Sequence, residues 1–140
     1  MVHALEQAWQ ALRPGGVFVD LRPLSLDSAL DIVGSQGMES AGMVDMSADL
    51  PDDRAVDEAI EAAVRAEVFI PLESRRFDFA YYWESFEGMR RYTAERWDTA
   101  KFPPAVLRKA RALKNSLGPD SRIRIILPMH LATYERARLR

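Results

Sequence analysis

The 140-residue sequence predicts an α/β fold: a small mixed, largely antiparallel sheet with packed helices. Three observations carry this expectation. A short amphipathic stretch runs through Pro14-Gly15-Gly16 into the compact β-branched and aromatic run Val17-Phe18-Val19. Phe77, Phe79, Tyr81 and Trp83 alternate with Asp78, Ala80 and Tyr82, the two-residue period of a strand. Apolar residues then recur at helical spacing from Val106 to Leu117 and alternate from Ile123 to Leu131.

Val2, Leu5, Trp9 and Leu12 lie three and four residues apart, so one face of the first helix is apolar, with Trp9 expected in the core. Pro14 ends that helix and the two glycines turn the chain. Val17 to Val19 read as a strand buried on both faces, followed by a turn at Arg22-Pro23. Leu30–Val33 and Met43–Met46 read as two short strands joined by a Gly-rich connection. Asp52 or Asp53 can cap the next helix, whose apolar face is Val56, Ile60, Ala63 and Val64, with Asp57, Glu58, Glu61 and Glu67 in water. Val68–Leu72 begins an extended segment. The apolar parity shifts before Phe77, so a loop or bulge is expected over Glu73–Arg76. In the aromatic run, Phe77, Phe79 and Trp83 are expected inward and Tyr82 at the rim. Ser85 caps a helix to about Trp97 with Phe86, Met89 and Thr93 on one face. Pro103-Pro104 opens the last helix and Gly118-Pro119 stops it. In the final strand Pro128 lacks a donor and marks an edge or a bulge, and Arg136, Arg138 and Arg140 form a basic tail.

Composition bounds the chemistry. Hydrophobic content of 48% with 29% charged residues belongs to a globular chain. A formal charge of -2 is the wrong balance for general nucleic-acid binding. No cysteine is present, which removes disulfides, thiolate metal sites and cysteine nucleophiles. No run approaches the length of about 20 apolar residues that a membrane helix needs. A cytoplasmic location, with no nucleic-acid or membrane partner, is expected. His3 and His130 have no paired ligand spacing, so no metal site is expected.

Ligands of open α/β sheets bind outside the carboxyl ends of strands, which makes Asp20 and Arg22 candidates by position. Tyr81 and Tyr82 are candidates because their hydroxyls could place a polar ligand. His130 is a candidate acid or base with Tyr134 or Asp78. Each has a structural reading beside the functional one, as a paired, packed or solvated side chain.

The stretch Ala11-Leu12-Arg13-Pro14-Gly15-Gly16-Val17-Phe18-Val19 resembles the segment of class I S-adenosylmethionine-dependent methyltransferases in which a helix ends in an L-[RK]-P-G-G turn and leads into the fifth strand. The resemblance implies the C-terminal half of a Rossmann-like methyltransferase fold, with the last strand beside the first and the long aromatic strand on its far side. It also implies S-adenosylmethionine as the family cofactor. The family holds that cofactor with a Gly-rich turn after its first strand and an acidic residue ending its second. Those elements would fall before Met1, and the glycines at 15, 16, 34, 37, 42, 88 and 118 do not cluster to open a helix. The expectation is therefore a methyltransferase-like domain that binds no methyl donor alone, a remnant or one piece of a split enzyme. An alternative is a small dimeric ligand-binding or scaffold domain. In the family the strand at 17–21 has a neighbour on each side, so here it would leave an open edge. A homodimer through the first helix and first strand follows as an expectation, with a separately encoded N-terminal half as the other partner.

Overall fold

A computed structural model describes residues 2–138 of the chain. The side chain of Val2 and the tail residue Arg140, both used in the sequence reading, lie outside the described residues. The elements run α1 (Val2–Ala11), β1 (Val17–Pro23), β2 (Ser28–Gly34), β3 (Gly37–Val44), a 3-10 turn (Ser47–Asp49), α2 (Leu50–Arg65), β4 (Phe69–Trp83), α3 (Phe86–Arg96), α4 (Pro104–Leu117) and β5 (Arg122–Arg136). This is a mixed α/β protein with one five-stranded sheet. β1, β5, β2 and β3 are neighbours in that order, and β4 also pairs with β5. The β1–β5, β5–β2 and β2–β3 ladders are all antiparallel. The described helices include none long and apolar enough to cross a membrane.

The chain divides into two compact units, and the long strands β4 and β5 each contribute to both. The first unit lies within residues 2–24, 51–77 and 129–138. In it β1 pairs with the second half of β5, from Val17 opposite Glu135 to Pro23 opposite Met129. Phe18 stacks on Tyr134 at 6.0 Å and meets Phe69 at 5.7 Å, which places these three rings on one face of the sheet. Ile60 of α2 and Phe69 are buried. The opposite face of β1 is open: Val17, Val19 and Leu21 are 48%, 53% and 57% exposed. The expected burial on both faces is thus corrected. A β-branched run signals a strand, but only the covering layer decides whether both faces are buried, and the helices of this unit cover one.

Trp9 is half-buried rather than enclosed, with the Arg136 guanidinium 3.9 Å from its ring centroid. α2 begins at Leu50, directly after the 3-10 turn, so Asp52 and Asp53 sit inside its first turn instead of capping it. There they still complement the helix dipole. β4 is one continuous strand, so of the loop or bulge expected over Glu73–Arg76 the loop is not formed. Residues 70–79 are all exposed, Phe77 and Phe79 among them, which corrects their expected inward packing. With no covering layer there, burial imposes no parity on the sequence, and the apparent shift needs no break.

The second unit lies within 25–50 and 78–128. Its core is Leu30, Ile32, Ala41, Val44, Met89, Ala110, Ile123 and Ile125, with Trp83, Trp97, Val106 and Leu113 packed against it. β2 and β3 form a hairpin tighter than the expected Gly-rich connection. Gly34 pairs with Gly37 around Ser35-Gln36, and the register shifts between Leu30 and Asp31. Opposite that shift Gly42 takes φ 135°, and a Cβ there would stand 2.8 Å from Val106 of α4, so the close approach of helix to strand requires glycine. Ser85 caps α3 as its sequence predicts, its Oγ accepting from the Gly88 N–H at 3.1 Å. Pro104 opens α4, and Gly118 ends it at φ 94°. β5 is an interior strand, not an edge. Pro128 falls between the ladder to β2, which ends at Ile125, and the ladder to β1, which begins at Met129, so neither loses a donor.

Candidate functional site

A close group of ionisable side chains lies in the first unit. Phe18, Asp20 and Arg22 alternate with the open-face residues of β1, so Asp20 and Arg22 point to the side that α2 covers. The antiparallel register sets Arg22 opposite His130 and Asp20 opposite Ala132. From α2, Asp53 and Asp57 stand one turn apart and reach the same place. Sequence and register together therefore assemble a guanidinium, three carboxylates, an imidazole and the Tyr134 phenol.

Arg22 is the hub. Its Nε donates to both carboxylate oxygens of Asp20, at 3.2 Å each. Nη1 donates to the Asp53 carbonyl at 3.4 Å and lies 3.9 Å from its carboxylate, and Nη2 bonds the Asp57 carboxylate. The side chains of Asp20 and Arg22 are 9% and 14% exposed, against 56% for Asp57. Burial works against the Arg22 charge, but the hydrogen bonds it donates to Asp57 and Asp20 outweigh it and hold the guanidinium above its usual range. His130 Nε2 stands 3.6 Å from Asp20 Oδ2. Burial, reinforced by the Asp20 charge, raises the Tyr134 phenol above its ordinary value. Beside the pair a cavity of about 200 Å3 is walled by Ala4, Leu5, Phe18, Val56 and Ile60.

This arrangement is internally paired. Both oxygens of Asp20 already face a donor, and Arg22 spends its three nitrogens on three aspartates. Its chemistry is that of a tie joining β1, α2 and β5, with the His130 ring at the margin beside Asp20. Of the sequence candidates, Asp20, Arg22 and His130 come together here, with Asp20 rather than Asp78 as the carboxylate beside His130. Asp57 was read as solvated and was missed. Its spacing of four from Asp53, flanking the apolar Val56 and Ile60, is the signal that could have placed it beside the sheet.

Tyr81 and Tyr82 belong to the second unit. Tyr81, Trp83, Tyr92 and Trp97 contact one another with every centroid separation between 5.1 and 5.9 Å. Rings that close fill their own space. Burial, helped by a hydrogen bond with Tyr92, raises the Tyr81 phenol. Tyr82 points the other way and is exposed, its ring 4.6 Å from the Arg122 guanidinium. Arg124 hydrogen-bonds to Tyr82 and donates to buried Asp31 at 2.7 Å.

A second feature of the first unit is an apolar groove of about 470 Å3 between α1 and α2, lined by Leu5, Trp9, Ala59, Ala62, Ala63, Val68 and Phe69, with Glu6 as its polar residue. The alanines of α2 leave the gap because their methyl side chains are too short to reach the facing helix. Among the described residues no group of three or more His, Asp or Glu could hold a metal ion. Compared with models of protein families, with curated proteins and with solved structures, the chain matches none.

Proposed function

We propose that the chain is a methyltransferase-like domain without catalytic competence of its own, a remnant or one piece of a split S-adenosylmethionine-dependent enzyme. The observation that carries this reading is the strand order beside the Leu12-Arg13-Pro14-Gly15-Gly16 turn. β1 leaves the turn, β5 lies next to it, and β4 pairs with β5 in turn. That is the order the resemblance implies. The antiparallel ladders do not support the Rossmann-like part of the resemblance, since Rossmann sheets are largely parallel.

The family cofactor does not fit the described residues. A phosphate- or ribose-facing cradle needs glycines that open a helix beneath a strand. Here Gly15 and Gly16 lead into a strand, Gly34 and Gly37 close a hairpin, Gly42 faces Val106, and Gly118 ends a helix. Gly88 does lie in the first turn of α3, but its N–H is taken by the Ser85 cap. No methyl-transfer step is therefore assigned to these residues. In a split enzyme a separately encoded N-terminal half would bring the donor site.

Calorimetry of the full chain with S-adenosylmethionine tests the reading. No saturable heat is expected. Binding at a Kd of about 1 μM, about -8 kcal/mol, contradicts it. An adjacent reading frame encoding a Gly-rich strand-turn-helix would separate the split piece from the remnant. The apolar groove between α1 and α2 favours a second reading, a small ligand-binding or scaffold domain, because its volume lies within the range of ligand pockets.

A further inference from the structure

Among the described residues β1 has a strand on one side only, since it pairs with β5 and ends the strand order. The Gly16 carbonyl accepts from the Arg136 N–H at 2.8 Å, and the register continues without a shift to Pro23 opposite Met129. In an antiparallel ladder alternate residues address the same neighbour. Phe18, Asp20 and Arg22 therefore spend their backbone groups on β5, while Val17, Val19 and Leu21 aim theirs at the open edge. The same three residues, with Pro23 after them, are the exposed ones of β1. One aliphatic row thus supplies both the unpaired hydrogen-bonding groups and the uncovered apolar surface.

The geometry points to a second copy of this chain as the occupant of that edge, paired antiparallel across a two-fold axis at Val19. This register sets Val19 against Val19 of the second copy and Val17 against Leu21 in both directions. Each of these pairs exchanges both N–H···O bonds. The row is self-complementary: Val17, Val19 and Leu21 carry no charge, no proline precedes Pro23 and no bulge interrupts the strand, while the charges of Asp20 and Arg22 face the other side and are paired with each other. β-branched and aliphatic cross-strand pairs stabilise such ladders, and a C2 interface meets its own surface. The net charge of -2 gives little repulsion between copies. Phe18, Asp20 and Arg22 take no part through their side chains, because they lie under the helices.

The inference rests on the open edge and not on the methyltransferase reading, so a monomer overturns it while calorimetry judges the other. Sedimentation velocity at tens of micromolar, with circular dichroism as the fold control, is the experiment. The wild-type chain is expected at twice its monomer mass. Val19→Lys places two ammonium groups face to face at the axis, and Val17→Glu with Leu21→Glu places like charges in both outer pairs. Both variants are expected to sediment as monomers. Val17→Glu with Leu21→Lys puts opposite charges in each outer pair and is expected to restore the dimer. All these positions are exposed, so the fold is expected to survive. A monomeric wild type overturns the proposal. A dimer that persists with Val17→Glu and Leu21→Glu overturns it too, as does a charge-swapped pair that stays monomeric while folded.

Discussion

Replacing Arg22 with methionine removes the hub of the aspartate cluster while keeping much of the side chain's apolar volume. Asp20 then keeps its charge in a site that exposes 9% of its side chain, with Asp53 and Asp57 nearby and no guanidinium to balance them. Breaking a buried ion pair on one side costs about 3–5 kcal/mol, because the surviving charge is stranded. Asp57 adds little to this figure. It is half in water, and exposed pairs contribute about 0–1 kcal/mol, so Asp57→Asn should be nearly silent. Against a total of about 5–15 kcal/mol, the Arg22→Met loss is a large share. Urea denaturation reads it directly. With a slope of about 2 kcal/mol/M the midpoint should fall by about 2 M. Removing both charges, Asp20→Leu with Arg22→Met, should recover most of the loss, since well-packed apolar replacements of a buried pair are often neutral or stabilising. A midpoint shift under about 0.5 M for Arg22→Met would refute the reasoning, and so would a double variant as unstable as the sum of the singles.

Gly42→Ala should destabilise the chain by about 2–4 kcal/mol, from overpacking against Val106 and strain at a positive φ, visible in the same urea assay. Tyr134 holds its proton more tightly in the folded state, chiefly through burial, so its contribution is complete below the ordinary phenol range near pH 10 and is lost as pH rises through the folded value. Denaturation between about pH 9 and pH 11 should show wild-type stability falling more steeply than that of Tyr134→Phe. Equal slopes would remove Tyr134 from the linkage.

Local chemistry was legible in the sequence and neighbours were not. The Pro-Gly-Gly turn, the Ser85 cap and the Pro104 and Gly118 boundaries of α4 depend on residues within a few positions of one another, and each stands where the pattern puts it. The exposure of Val17, Val19 and Leu21 depends on what covers the sheet, which a β-branched run does not encode. β4 reads as two pieces because parity reports burial, and burial is absent over 70–79. The Asp20–Arg22–His130 grouping was legible in part. Alternation fixes Asp20 and Arg22 on one side of β1, but His130 joins them only through the β1–β5 register, and Asp57 arrives from a helix 35 residues away from Arg22.

The proposed dimer depends on β1 being the open edge of the sheet. Amide hydrogen exchange, read residue by residue by NMR, tests that most directly when the wild-type chain is compared with the monomeric Val17→Glu, Leu21→Glu variant. In the variant the N–H groups of Phe18, Asp20 and Arg22 should stay protected by β5 while that of Val19 exchanges as a solvent-facing amide. In the wild type Val19 should become protected as well. Protection of Val19 equal to that of Phe18 and Asp20 in the monomeric variant would mean that β1 has a strand on both sides, and would contradict the account.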